Sequence, residues 1–352
     1  MTIAAAFFKR DRLYLLLIIF ILAVNTAIFL PLEKKGQGKK TDVSERVIGK
    51  EKMAEQLLLE RENVEGMLHK NRPLAILFML TSLLILAIIF LGILVDLLLL
   101  SFKLSRKKIE MATYKPHNIS WNAWDVAKVV ILFMFFGYCI IVIESLLAAP
   151  FPILKNNNFR MILNTSILDL LCAVFILQLT VGQYKEKLIS LGISFKNFFR
   201  NIFYGIVGYM AIIPILVGLL IITAIVIKLI NYVPEREPVV ELFLKEKDSA
   251  FLIYTSIFTS MLGPVIEEVF FRGFMYNAFK KYIGIFWAVL LTSALFAGLH
   301  TNIVGFLPIM TLGILLAYLY EKTGTLVSSI TVHTIHNLSM VLFVFLIRQI
   351  RS

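Results

Sequence analysis

The chain has 352 residues, of which 59% are hydrophobic, with a mean hydropathy of +0.84 and a formal net charge of +12. Several apolar runs exceed the ~20 residues that cross a bilayer, which excludes a soluble globular core and points to a polytopic membrane protein. The 35 Lys and Arg against 23 Asp and Glu fall mainly in short segments between apolar runs, a topology signal that argues against a nucleic-acid partner.

In chain order the pattern predicts an all-α transmembrane bundle of eight or nine spans, at about 13–31, 73–102, 124–148, 160–182, 202–230, 251–280, 284–300, 304–320 and 325–348. The first follows Lys9, Arg10 and Arg12 as a signal sequence would. It is longer than a usual signal core and has no small-x-small cleavage site after it, so it reads as a retained anchor. Residues 32–72 form a loop rich in both charges. Within it Val47, Met53, Leu57, Val64 and Leu68 are spaced for a short extramembrane helix, and a solvated connector fits the composition equally. Basic clusters at Lys103, Arg106, Lys107 and Lys108, at Lys185, Lys187, Lys196 and Arg200, and at Lys280 and Lys281 become cytoplasmic together if the N-terminus is cytoplasmic. Trp121 and Trp124 suit an interfacial belt before the third span. Cys139 and Cys172 lie inside apolar runs, where they offer neither a disulfide framework nor a Cys-x-x-Cys site. The chain divides into an anchor with its charged loop (1–72), accessory spans (73–249) and a motif-bearing core (250–348).

Glu267, Glu268 and Arg272 are the only charges between Ser249 and Phe279. A charge at the bilayer centre costs about 2.5 to 3.5 kcal/mol even on lenient scales, so three together need a reason. Glu268 and Arg272 are four apart and can pair on one helical face, whereas Glu267 projects about 100° away and stays free. Gly263-Pro264 just before them predicts a helix start or kink. His300, His333 and His336 are three of the five histidines and all follow in the last part of the chain. Phe296 with His300, and His333 with Asn337, are again four apart. Counting rise per residue from the span ends brings Glu267 and His300 to a similar depth.

A carboxylate beside a neutral imidazole can orient a water and take its proton, while an imidazole and an amide can stabilise the oxyanion that follows. In that scheme Glu267 is the base, His300 its partner on the water, and His333 and Asn337 the oxyanion donors. Arg272 holds Glu268, and Phe296 walls the site. Glu-Glu-Val-Phe-Phe-Arg-Gly, then Phe-Ala-Gly-Leu-His, then His-Thr-Ile-His-Asn resembles the CAAX protease and bacteriocin-processing family, the Abi or Rce1-type intramembrane glutamate proteases. The resemblance covers about residues 250–348. It implies a helical membrane fold with a cavity site, and it places Glu267, Glu268, Arg272, Phe296, His300, His333 and Asn337 at motif positions. It further implies an intramembrane endopeptidase that needs no cofactor and acts on a lipidated tail or a leader or sorting peptide. His336 is not a motif position and reads as a packing histidine.

Two other readings compete. A zinc protease would use His300, His333 and Glu267 as ligands, although no His-Glu-x-x-His is present. A non-catalytic scaffold or immunity protein would keep the polar cluster for stability or ion passage. The expected partners are membrane lipid and a peptide or protein tail. Asp96, Glu144 and Lys228 read as snorkelling or paired groups near span ends, while Asp169 lies deeper and is a candidate for the cavity wall.

Overall fold

The computed structural model describes residues 11–36, 66, 71–106, 110–114, 118–232, 234, 237–300 and 303–351, with no strand among them. The helix expected at 44–69 lies outside the described residues, apart from Gly66.

Helix boundaries follow capping chemistry. After α1 (Asp11–Gly36), α2 (Arg72–Leu104) opens on Asn71, whose side chain accepts from the Leu74 N–H at 3.2 Å, with a proline in its first turn. In α3 (Ala123–Leu147), Asn122 and Asp125 close a reciprocal capping box. Asn156 caps α4 (Asn157–Leu177), which runs on into a π turn at Gln178–Gln183. α5 (Phe198–Ile230) carries Pro214 inside it and α6 is the short Pro238–Lys245. Asp248 caps α7 (Ser249–Ile257), and the chain then continues through a π segment (Phe258–Leu262), α8 (Gly263–Glu268), a second π segment (Val269–Tyr276) and α9 (Asn277–Leu299). α10 (Phe306–Thr323) ends at Gly324, where φ of 70° favours glycine, and α11 is Val327–Arg351.

Among the described residues, six helical segments are long and apolar enough to cross a membrane, and the chain is an integral membrane protein. The stretch expected at 13–31 lies within α1. The 51-residue run Ser249–Leu299 is too long for one crossing and breaks at Gly284, whose φ of 73° and ψ of 174° are not helical, so the stretches expected at 251–280 and 284–300 meet at that residue. The segment expected at 304–320 is the 18-residue α10, whose Leu312, Leu316 and Leu319 are buried in protein.

α5, α10 and α11 pack on one another, α9 packs on α10, and α8 with its flanking π segments is held between α4 and α11. Lipid tails are as apolar as these side chains, so close packing and polar contacts specify the arrangement more than transfer from water does. At Gly205 of α5, an added Cβ would lie 2.8 Å from the Ser328 carbonyl oxygen and from Thr331 Cβ, so glycine is what lets α5 and α11 approach. Trp121 is not interfacial. It is fully buried, stacks on Phe274 at 5.8 Å and donates through Nε1 to the Phe274 carbonyl at 3.0 Å. Trp124 remains exposed and donates to Asp11 Oδ1 at 3.1 Å.

Candidate active site

Both glutamates sit on the six-residue α8, with a π segment on either side. In the first π segment the Gly263 N–H reaches back five residues to the Phe258 carbonyl. Continuing that register, residue 264 would serve Thr259, but proline has no N–H to give. Asn337 Nδ2 of α11 donates to the Thr259 carbonyl at 2.8 Å instead. The Gly-Pro break and Asn337 are thus one feature: a carbonyl freed in one helix is satisfied by the side chain of another.

Glu268 and Arg272 form the pair expected from their spacing, with Arg272 Nη1 2.7 Å from Glu268 Oε1 and both side chains almost fully buried. Arg272 Nη2 donates to the Gly313 carbonyl of α10 at 3.2 Å, and the guanidinium lies over the Phe296 ring, 4.6 Å from its centroid. Glu268 Oε1 also accepts from His333 Nδ1 at 3.0 Å. Because an ionised carboxylate only accepts, the His333 proton on this side belongs to Nδ1, and Nε2 is left to face Glu267 Oε2 at 3.7 Å.

Glu267 is the one member of the acidic pair that keeps access to solvent or substrate, with its side chain 32% exposed. Its Oε2 atom is nevertheless buried and has no hydrogen-bond partner among the described residues. With Glu268 neutralised by Arg272, Glu267 carries the uncompensated negative charge.

Phe296 is buried at the centre of the site. Its ring meets Phe271, His300 and His333 edge-on at centroid distances of 5.2, 4.8 and 5.4 Å. His300 caps the exposed end of α9, and its Nδ1 donates to the Phe296 carbonyl at 2.9 Å. In the neutral ring that bond puts the proton on Nδ1 and leaves the Nε2 lone pair free. No hydrogen bond joins His300 to Glu267 among the described residues; the imidazole nitrogen placed beside Glu267 is that of His333. His336 turns away to Tyr209 of α5, with its Nδ1 3.4 Å from the phenol oxygen. Glu144 is buried rather than snorkelling, and takes Arg160 Nε at 2.9 Å and Asn164 Nδ2 at 3.1 Å. Six of the seven motif residues are therefore joined by contacts among α8, the second π segment, α9 and α11, with α10 supplying the Gly313 carbonyl, while Asn337 bonds to Thr259 of the first π segment. Sequence spacing gave no sign of the two π segments, although the Gly-Pro pair marks where the first ends. Among the described residues, no group of three or more His, Cys, Asp or Glu side chains is disposed to hold a metal ion.

Residues 249–339 match the family model described as type II CAAX prenyl endopeptidase Rce1-like. This segment is Rce1-like. It holds all seven motif residues, whereas α1 to α6 lie before it. Two curated proteins are similar over about the same share of the chain. The Bacillus subtilis (strain 168) protein named "Putative membrane peptidase YdiL" is 29% identical over 86 residues, covering 24% of this chain and 35% of that protein. UPF0177 protein YaiF of Lactococcus lactis subsp. lactis (strain IL1403) is 34% identical over 90 residues, covering 24% of this chain and 38% of that protein. The matched stretch thus spans little more than a third of each relative's length. No solved structure matches the chain.

Proposed function

We propose that the protein is an intramembrane endopeptidase that hydrolyses a peptide bond with a water activated by Glu267. The observation that carries the reading is the division within the acidic pair: Glu268 is consumed by Arg272 and His333, while Glu267 is partly exposed and unpaired by any cation. A carboxylate so placed can take a proton from water. His300 Nε2, left as an acceptor by the bond its Nδ1 makes, suits the second hydrogen of that water. The second N–H of Asn337 would donate to the oxyanion, with His333 held beside Glu267 by the bond from its Nδ1 to Glu268. Attack forms the carbon–oxygen bond as Glu267 takes one proton, and collapse breaks the carbon–nitrogen bond as that proton passes to the leaving amine.

The Rce1-like match and the name of the Bacillus relative support a peptidase, and the six apolar helices support a substrate met at or within the bilayer. The substrate class we assign is a membrane-associated or lipidated tail, or a leader or sorting peptide, with the N-terminus of the enzyme cytoplasmic. No metal is assigned a role in this scheme, and cleavage should survive stringent chelation. The test is a comparison of membrane peptides from cells carrying the intact protein and its Glu267→Ala form. A product present only with the intact protein is expected. Identical peptide sets, with both proteins inserted at equal levels, would overturn the reading in favour of a non-catalytic scaffold or immunity protein.

A further inference from the structure

Where α4 and α7 begin, the two helices enclose a cavity of about 480 Å³, the size of a pocket for a small molecule or a side chain. Its walls are aromatic: Phe159 of α4, and Phe251 and Tyr254 of α7. Packing fixes these rings. Phe159 and Phe251 lie 5.9 Å apart between centroids, and Tyr254 stacks on Phe258 at 6.1 Å while its hydroxyl donates to Ser166 Oγ at 2.7 Å.

Glu246 and Asp248 line the same cavity. Glu246 Oε1 accepts from the N–H groups of Lys247 and Asp248 at 2.8 and 3.1 Å, and Asp248 Oδ1 from those of Ala250 and Phe251 at 2.9 and 3.1 Å. Backbone bonds thus hold both side chains while neutralising neither charge. The basic groups nearby are engaged elsewhere or stand in solvent. Arg160 pairs with Glu144, Lys245 with Glu241, and Arg348 donates to the Phe243 carbonyl. Lys155 and Lys247 are exposed, and among the described residues neither pairs with Glu246 or Asp248. Aromatic faces beside two uncompensated carboxylates suit a cation, which the ring faces attract and the carboxylates bond.

The place of the cavity says which cation. Its α7 wall opens the helical run that carries Glu267, and its α4 wall packs further along on α8. From Tyr254 to Glu267 the run covers about 20 Å at the helical rise, a distance that an extended peptide spans in roughly six residues. Lys280 and Lys281 lie toward the other end of that span, away from the cavity.

We propose that this cavity is a substrate subsite that takes a lysine or arginine side chain of the peptide, about six residues from the bond presented to Glu267. The rings and carboxylates recognise the charge, and the α4–α7 seam sets the spacing between anchor and scissile bond. The subsite contributes to binding and leaves the chemical step to Glu267.

This inference rests on the proposed role of Glu267, and the experiment separates the two. Wild type, Glu267→Gln and the double variant Glu246→Gln with Asp248→Asn are reconstituted in phosphatidylglycerol nanodiscs, whose headgroups carry no ammonium. The amides can keep the bonds to the backbone N–H groups while removing both charges. The substrates are a synthetic peptide spanning the bond found in the membrane-peptide comparison, and the same peptide with its Lys or Arg replaced by Ala. With wild type, the Ala peptide should raise KM roughly fivefold to thirtyfold with kcat unchanged. The double variant should show that raised KM with both peptides, and added salt should raise KM for wild type with the basic peptide more than for the variant. A cleaved sequence with no Lys or Arg at this spacing, or equal KM for the two peptides with wild type, would overturn the subsite. Phosphatidylethanolamine retained by wild type and lost by the double variant in native mass spectrometry, with KM blind to the peptide charge, would assign the cavity to a lipid headgroup and overturn it as well. In either case an inactive Glu267→Gln leaves the water-activation reading standing, and full cleavage by Glu267→Gln would overturn that reading itself.

Discussion

Helix α2 and the run Ser249–Leu299 both qualify as membrane spans, but they solve opposite problems. The most apolar 18-residue stretch of α2 has a mean hydropathy of 3.2 with 6% of it buried inside the protein, whereas that of the Ser249–Leu299 run has 1.9 with 28% buried. In α2 the buried position is Gly92, and side chains such as Leu84 and Leu86 remain open to lipid. The Ser249–Leu299 run also carries Glu267, Glu268 and Arg272 and surrounds them with α4, α9, α10 and α11. The run with the less apolar stretch is the one that holds the candidate site, where Glu268, Arg272 and His333 bond to one another inside the protein.

The sharpest way to break this contrast on the stability side is to remove one partner of the buried pair. Arg272→Ala leaves Glu268 buried beside His333 without its cation and should cost about 3 to 5 kcal/mol, seen as a large drop in thermal unfolding temperature in detergent. The double variant Glu268→Gln with Arg272→Met should recover much of that loss. Next in size is His300→Gln. If the Nε2 lone pair partners the water, kcat should fall about 10²-fold or more with unfolding unchanged, because the side chain sits at the exposed end of α9. Trp121→Phe keeps the stacking on Phe274 but removes the indole bond to a carbonyl that still accepts from the Asn277 N–H, and should cost about 0.5 to 1.5 kcal/mol by chemical or thermal unfolding. At the small end, Leu84→Ala on the lipid face of α2 should change stability by no more than about 0.5 kcal/mol.

Much of the site is legible in the sequence because helical spacing of charge and aromatic residues is a local property. Four-residue intervals predicted the Glu268–Arg272 ion pair and the Phe296–His300 contact, and both are present. What spacing could not supply is the relation between helices. Asn337 was read as an oxyanion donor, but its bond to the Thr259 carbonyl depends on a π register that no periodicity announces. Trp121 looked interfacial because it precedes a span, and its burial follows from a carbonyl on a helix 153 residues away. The boundary expected between 251–280 and 284–300 coincides with Gly284, whose backbone angles are not helical. Asp169 could be recognised as deep in a span, while the packing of its helix α4 on α8 is a relation between helices that spacing does not announce.

The central claim is that Glu267 acts on water while Glu268 holds the architecture. The most direct measurement is single-turnover cleavage, by purified wild type and Glu267→Gln in nanodiscs, of a peptide spanning the site identified from membrane-peptide products. The account predicts that Glu267→Gln unfolds at the wild-type temperature, still binds the peptide and loses at least about 10³-fold in the chemical step. Cleavage at the wild-type rate by that variant would contradict it.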